Sequence, residues 1–215
     1  MTIQIPLAEI LRPKNAGEYI GQPHLMAEGT AFRRMIAGGS VHSMIFWGPP
    51  GVGKTTLALI IANATGRQFY TLSAINSGVK DVREVIEVAK KESSQPILFI
   101  DEIHRFSKSQ QDSLLGAVEK GIVILIGATT ENPSFEVISP LLSRCQVYIL
   151  KHLEEEDLML IMQKAVDTLI SIHDVKIVIK EHEALIRLSG GDARKLLNAI
   201  DIIVSSLLTS GKEIE

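Results

Sequence analysis

Between an apolar run at 43–47 and a helical pattern at 54–64 lies the stretch Gly48-Pro49-Pro50-Gly51-Val52-Gly53-Lys54-Thr55-Thr56. No other feature narrows the possible folds as far. Its spacing is G-x-x-x-x-G-K-[ST], in which glycines let successive backbone N–H groups turn inward around phosphate oxygens. Lys54 supplies a cation for β- and γ-phosphates, and the Thr55 hydroxyl is a ligand for Mg²⁺. The helix that begins here presents its positive end to the same anion. The segment must therefore fold as one strand–loop–helix unit with a nucleotide's phosphates at the junction.

The remaining pattern extends that unit into a sheet. Apolar runs at 68–72, 96–100, 122–126 and 147–150 read as strands, and helical patterns fill 79–91 and 107–120 between them. Continuously apolar strands alternating with helices predict a parallel sheet covered on both faces, here of five strands in a doubly wound α/β layer. Only 5% of residues are aromatic, so the core must be mostly aliphatic. Before the first strand, 6–22 reads as an extended lead-in and 28–37 as a short helix.

After Lys151 the strands stop. Glu154 to Asp157 place four acids in a first helical turn, where the helix dipole favours them. Leu158, Ile161, Met162, Ala165, Leu169 and Ile172 then share one helical face. A short helix at 181–188 follows. A last one is N-capped by Asp192, with Leu196, Leu197, Ile200, Ile203, Val204 and Leu207 along its stripe. The expected organisation is an α/β domain over 1–150 and a helical lid over 151–215.

Further candidate residues gather where the strands end. Asp101 closes an apolar strand and would hold Mg²⁺ through its water shell, and Glu102 beside it could deprotonate an attacking water. Thr130, after Ala128 and Thr129, could sense a γ-phosphate or simply cap its strand. Arg144 reads equally as a surface arginine or as a group with a task. Arg194 stands in a first helical turn against the dipole, which suggests an anionic partner such as a phosphate.

Other chemistries find little support. The formal charge of −3 gives no overall basic footprint for nucleic acid. A single cysteine, Cys145, allows no intrachain disulfide and no cysteine zinc site, and the six histidines lack metal-binding spacing. Neither a signal-peptide pattern nor a run of membrane-spanning length occurs, so the expectation is a cytoplasmic protein with no membrane partner.

Taken in order, these motifs resemble the Walker A, Walker B, sensor 1, arginine finger and sensor 2 of an AAA+ ATPase. Within that superfamily the chain is similar to the replication-associated recombination protein A family, relatives of clamp loaders. The resemblance is carried by Pro6-Leu7-Ala8 with Leu11-Arg12-Pro13-Lys14, by Glu18-Tyr19-Ile20-Gly21-Gln22, and by Asp101-Glu102-Ile103-His104-Arg105-Phe106. The tract Gly127-Ala128-Thr129-Thr130-Glu131-Asn132-Pro133-Ser134-Phe135-Glu136 and Gly191-Asp192-Ala193-Arg194 complete it.

The resemblance implies ATP and Mg²⁺ as cofactors, and it assigns roles. Tyr19, Ile20 and Gly21 match the segment that packs on adenine, and Thr130 matches sensor 1. Arg144 matches the finger that reaches a neighbouring subunit's γ-phosphate, and Arg194 matches sensor 2. Also implied are single-stranded or forked DNA, tetramerisation through a C-terminal region beyond Glu215, single-strand-binding or other replisome proteins as partners, and a nucleoid-associated location. A chain without that region should bind nucleotide but hydrolyse it slowly.

Four other readings compete. A clamp-loader subunit shares Ser143-Arg144-Cys145, but such subunits usually carry a cysteine-rich module between the phosphate loop and Asp101. A Holliday-junction motor would need a β-hairpin inserted near Gly121. A protein unfoldase would carry an aromatic in the loop 73–79, where this sequence has none. A scaffold that binds ATP without turnover would not need Glu102.

Overall fold

The computed structural model describes residues 5–74 and 77–210; Ile75 and Asn76, part of the loop read above against an unfoldase, lie outside the described residues. The strands are β1 (Met44–Trp47), β2 (Phe69–Ser73), β3 (Ile97–Asp101), β4 (Ile124–Thr129) and β5 (Gln146–Ile149). They form one parallel sheet in the order β2-β3-β4-β1-β5. In register, Met44 lies between Ile126 and Gln146, and Ile97 faces Phe69 and Ile124. The chain leaves β1 for the far edge and works back, so β4 separates β1 from β3. The carboxyl ends of β1, β4 and β3 therefore stand side by side.

The helices α1 (Leu7–Ile10), α2 (Pro23–Met26) and α3 (Ala31–Ala37) precede β1, and α4 (Lys54–Thr65), α5 (Val79–Ala89) and α6 (Lys108–Glu119) follow β1, β2 and β3. Then come α7 (Pro133–Glu136), α8 (Ser139–Leu142), α9 (Glu155–His173), α10 (His182–Ser189) and α11 (Ala193–Ser210). Alternate strand residues point to opposite faces. Met44, Phe46, Phe99 and Ile126 pack under Phe32 and Ile36 of α3 and Leu57, Ala58 and Ile61 of α4. Ile45, Leu98, Ile100 and Leu125 pack under Val82 and Ile86 of α5 and Leu114 and Ala117 of α6. Both faces being covered explains why the strands carry no polar alternation.

The helices α9, α10 and α11 build a core of their own from residues such as Leu158, Met162, Leu169, Leu196, Ile200 and Val204. Leu7 of α1 is buried in it, and its backbone N–H donates to Asp201 Oδ2 at 3.3 Å. The amino-terminal segment is thus tied to the helical unit and not only to the sheet.

Several expectations shift for local reasons. The lead-in contains the short helix α1. The helix expected over 28–37 starts at Ala31, because Gly29 takes φ +81° and the Thr30 side chain caps Arg33 N at 3.3 Å. Strand β4 begins at Ile124, not 122. Gly121, at φ +63°, closes α6, and Ile122 N bonds back to Ala117 O at 2.9 Å, so ladder pairing starts only with Ile124 N to Pro96 O at 2.8 Å. Ile172 and Ile203 are 52% and 44% exposed. At about 100° per residue they sit at the edges of stripes that centre on Met162 and Ile200, and Val166 takes the buried place on α9.

That correction is measurable by urea denaturation. Leu169→Ala, emptying a buried site, should cost about 2–4 kcal/mol. Ile172→Ala should stay within about 0.5 kcal/mol of the parent, and a loss matching that of Leu169→Ala would return Ile172 to the core.

Candidate functional site

The glycine-rich loop leaves β1 and is anchored at once, Gly48 N donating to Thr129 O of β4 at 3.1 Å. A Cβ at Gly48 would come within 2.2 Å of Leu150 O, so glycine is required for the loop to pass the end of β5. Tyr19 OH donates to Val52 O at 3.2 Å, and burial pushes that phenol above its ordinary pKa, keeping the donor protonated. From the helical unit, Ala193 N donates to Gly51 O at 3.3 Å. Gly51 has φ +71°, and a Cβ there would lie 1.8 Å from Asp192 Oδ1. Asp192 is itself buried and caps α11 through Lys195 N at 3.0 Å. Three parts of the molecule thus converge on one loop.

Lys54 opens α4 and is only 7% exposed. Its ammonium donates to Gly48 O at 2.7 Å and Pro49 O at 2.8 Å. Burial lowers its pKa, while the nearby Glu102 and Asp101 carboxylates oppose that shift. The cation is therefore held at the carboxyl edge of the sheet with two acids near it.

A cavity of about 720 Å³ opens above the loop. Pro50, Gly51, Val52, Gly53, Lys54, Thr55 and Thr56 line it, as do Tyr19, Ile20, Asp101, Glu102 and Arg194. Its volume suits a medium-sized ligand. One part is polar and charged; another is walled by Leu11, Ile161 and Leu197, contributed by the amino-terminal segment, α9 and α11. The Thr55 hydroxyl and the Asp101 carboxylate are hard oxygen donors of the kind a small divalent cation takes.

Glu102 has φ +53°, unusual for a residue with a side chain, where β3 turns into the 3-10 helix Ile103–Arg105. Its Oε2 lies 3.1 Å from His104 Nδ1 and accepts from the Thr130 hydroxyl at 3.4 Å. Thr130 thus reaches the site through Glu102 and does not line the cavity.

Not every expected residue is at the cavity wall. Gly48 and Pro49 face Lys54 through their carbonyls. Gly21 is not among the lining residues but packs behind one of them, a Cβ on it meeting Leu153 Cδ2 at 2.5 Å. Arg144 is exposed on another face, its Nη2 2.5 Å from Glu119 Oε1 and its Nη1 donating to Pro140 O at 2.6 Å. Sequence reasoning gave no site role to Leu11, Arg12, Lys14, Ile161, Lys164, Leu197 or Asn198, which also line the cavity. Arg12-Pro13-Lys14, two cations about a proline, was the one available signal; the others lie far apart in sequence and meet only on folding.

Comparison with known proteins places this geometry among relatives. Residues 44–153 match the model of the ATPase family associated with various cellular activities (AAA). An AAA domain-containing protein of Mycobacterium tuberculosis is 47% identical over 96% of this chain and 47% of its own length. Replication-associated recombination protein A of Escherichia coli K12 is 45% identical over 97% of this chain and 48% of its own length. The chain therefore spans about half the length of the curated relatives it matches. Among solved structures, the Thermotoga maritima RuvB Holliday junction branch migration motor superposes with a TM-score of 0.77 at 29% identity, covering 95% of this chain and 68% of that one.

The close approach of Asp192 to Gly51 can be separated from backbone preference alone. Gly39 also has positive φ, +67°, with nothing within 4 Å of an added Cβ. Gly39→Ala should cost about 1 kcal/mol. Gly51→Ala should lower the thermal midpoint clearly further and weaken nucleotide binding at least tenfold; equal effects of the two substitutions would contradict the contact.

Proposed function

The chain belongs to the AAA family of ATPases and, within it, to the replication-associated recombination protein A family; on that premise we propose that it binds ATP with Mg²⁺ and hydrolyses it to ADP and phosphate. The observation that carries the proposal is the pairing of Asp101 and Glu102 at the end of β3 with Lys54 at the start of α4, all lining one cavity. In this reading adenine lies against Tyr19, Ile20, Leu11, Ile161 and Leu197, and Gly21 shapes the segment without touching the base. The backbone N–H groups of 51–54 surround the phosphates, with Thr56 in the same first turn of α4.

Thr55 and Asp101 would hold the metal ion. Bound there, Mg²⁺ supplies neutralisation of charge on the β- and γ-phosphates. Lys54 exchanges its loop carbonyls for phosphate oxygens. Glu102 accepts a proton as water attacks the γ-phosphorus and the bond to the bridging oxygen of ADP breaks. Thr130 steadies Glu102, and Arg194 faces the phosphates from α11.

Arg144 stands outside its own cavity, which supports a role toward a neighbouring subunit's γ-phosphate and hence self-association, a tetramer in the family. A part in replication and recombination is supported by the E. coli relative's name; single-stranded or forked DNA, repair, single-strand-binding protein and a nucleoid location belong to the same proposal. Among the described residues no helix is long and apolar enough to cross a membrane. The likeness to RuvB supports the fold. A junction motor is disfavoured because only residues 120–123 separate α6 from β4, too few for an inserted hairpin. A clamp-loader subunit is disfavoured because no cysteine lies between the loop and Asp101.

Substitution separates the steps. Lys54→Ala should abolish ATP binding; Glu102→Gln should bind ATP and lose at least a hundredfold in turnover. In a protein of its relatives' length, where subunits assemble, Arg144→Ala should bind ATP yet lose about 10³-fold or more. Mixed with Glu102→Gln subunits, it should regain part of the activity, because each then lacks a different half of a shared site. Mixtures as inactive as their components would sink the shared site, and turnover indifferent to single-stranded DNA over a range of salt would sink the DNA-directed reading.

A further inference from the structure

His104 sits in the 3-10 turn two residues after Glu102, with its side chain only 15% exposed. The ATPase reading gives it no task. Its Nδ1 lies 3.1 Å from Glu102 Oε2 and 3.0 Å from Thr129 Oγ1. A carboxylate can only accept, so a bare nitrogen lone pair facing Oε2 at that distance would be repelled; Nδ1 must carry hydrogen. Thr129 agrees with this. Its Oγ1 accepts from Glu131 N at 3.0 Å and donates its one hydrogen to Glu131 O at 3.2 Å, which leaves only acceptor capacity toward the ring. The imidazole N–H thus points into a fork between the carboxylate and the fully buried end of β4.

Glu102 needs such a tether. It lies one residue past the end of β3, with a left-handed backbone that is unfavourable in a residue with a side chain. Both of its donors, His104 and Thr130, meet the same oxygen, Oε2. Two donors on one oxygen fix the plane of the carboxylate. Among the described residues none hydrogen-bonds Oε1, the oxygen left to face a water.

We propose that His104 is a positioning residue for ATP hydrolysis, holding the Glu102 carboxylate against the end of β4 so that Oε1 is presented to the attacking water. The inference rests on Glu102 being the general base. It assigns the imidazole no proton transfer and no contact with nucleotide.

The test compares His104→Ala, His104→Asn and Glu102→Gln in the full chain by steady-state hydrolysis and by ATP affinity. The asparagine amide N–H falls close to the position of Nδ1–H. His104→Ala should lower kcat about tenfold to a hundredfold, the range of one lost hydrogen bond to a charged group, with KM and ATP affinity within about twofold. His104→Asn should recover most of that loss. An unchanged kcat in His104→Ala, or equal losses in both His104 variants, would overturn the proposal, since a residue that merely fills the turn gives no selective rescue. Nitrogen-15 NMR of the unsubstituted protein decides independently should the alanine variant fail to fold: hydrogen on Nδ1 supports the tether, and a ring protonated only on Nε2 refutes it. Undiminished turnover in Glu102→Gln would instead remove the general-base reading beneath it, whatever the tautomer.

Discussion

A lysine ammonium drawn almost wholly out of water at the carboxyl edge of a parallel sheet sets the terms for the surrounding structure. Removing such a charge from solvent is expensive, and the compensation must come from oriented dipoles and opposite charges. Here it comes from the Gly48 and Pro49 carbonyls and from the fields of Glu102 and Asp101. The carbonyls reach Lys54 only if the loop folds back over the first turn of α4. The carboxylates come near only if β3 is placed two strands from β1, as the order β3-β4-β1 achieves. Sheet order, loop geometry and the buried cation are thus one arrangement.

The same loop is where the two cores of the molecule communicate. Tyr19 holds it from the amino-terminal side, and Asp192 with Ala193 hold it from the helical unit. Leu7, buried among the helices α9 to α11, ties the amino-terminal segment to that unit as well. A ligand filling the cavity therefore touches the sheet, the segment before it and the helices after it. Affinity for that ligand and the relative placement of these parts are coupled, because each supplies a wall that the others cannot replace.

Much of this was legible in the linear order of residues. Apolar strands without alternation announced a sheet covered on both faces, and the glycine spacing with Lys54 announced the anion site, since backbone reach and helix polarity are local properties. Asp101 and Glu102 were legible for the same reason, as acids closing a buried strand. The apolar wall was not. Leu11, Ile161 and Leu197 are ordinary stripe or lead-in residues until three remote segments meet. Ile172 and Ile203 mark a different limit, because a helical period gives the direction of a stripe but not how wide a partner will cover it.

By itself, then, the sequence determined the class of sheet, the phosphate loop and the acids that accompany it, all of which depend on contacts within one strand–loop–helix unit or at one strand end. Only the tertiary structure decided that Arg144 lies off the wall of its own cavity and pairs with Glu119, that the Thr130 hydroxyl donates to Glu102, and that Asp192 leaves Gly51 no room for a side chain. Those relations join residues from elements far apart in the chain. Their distances are fixed by packing, which no local pattern encodes.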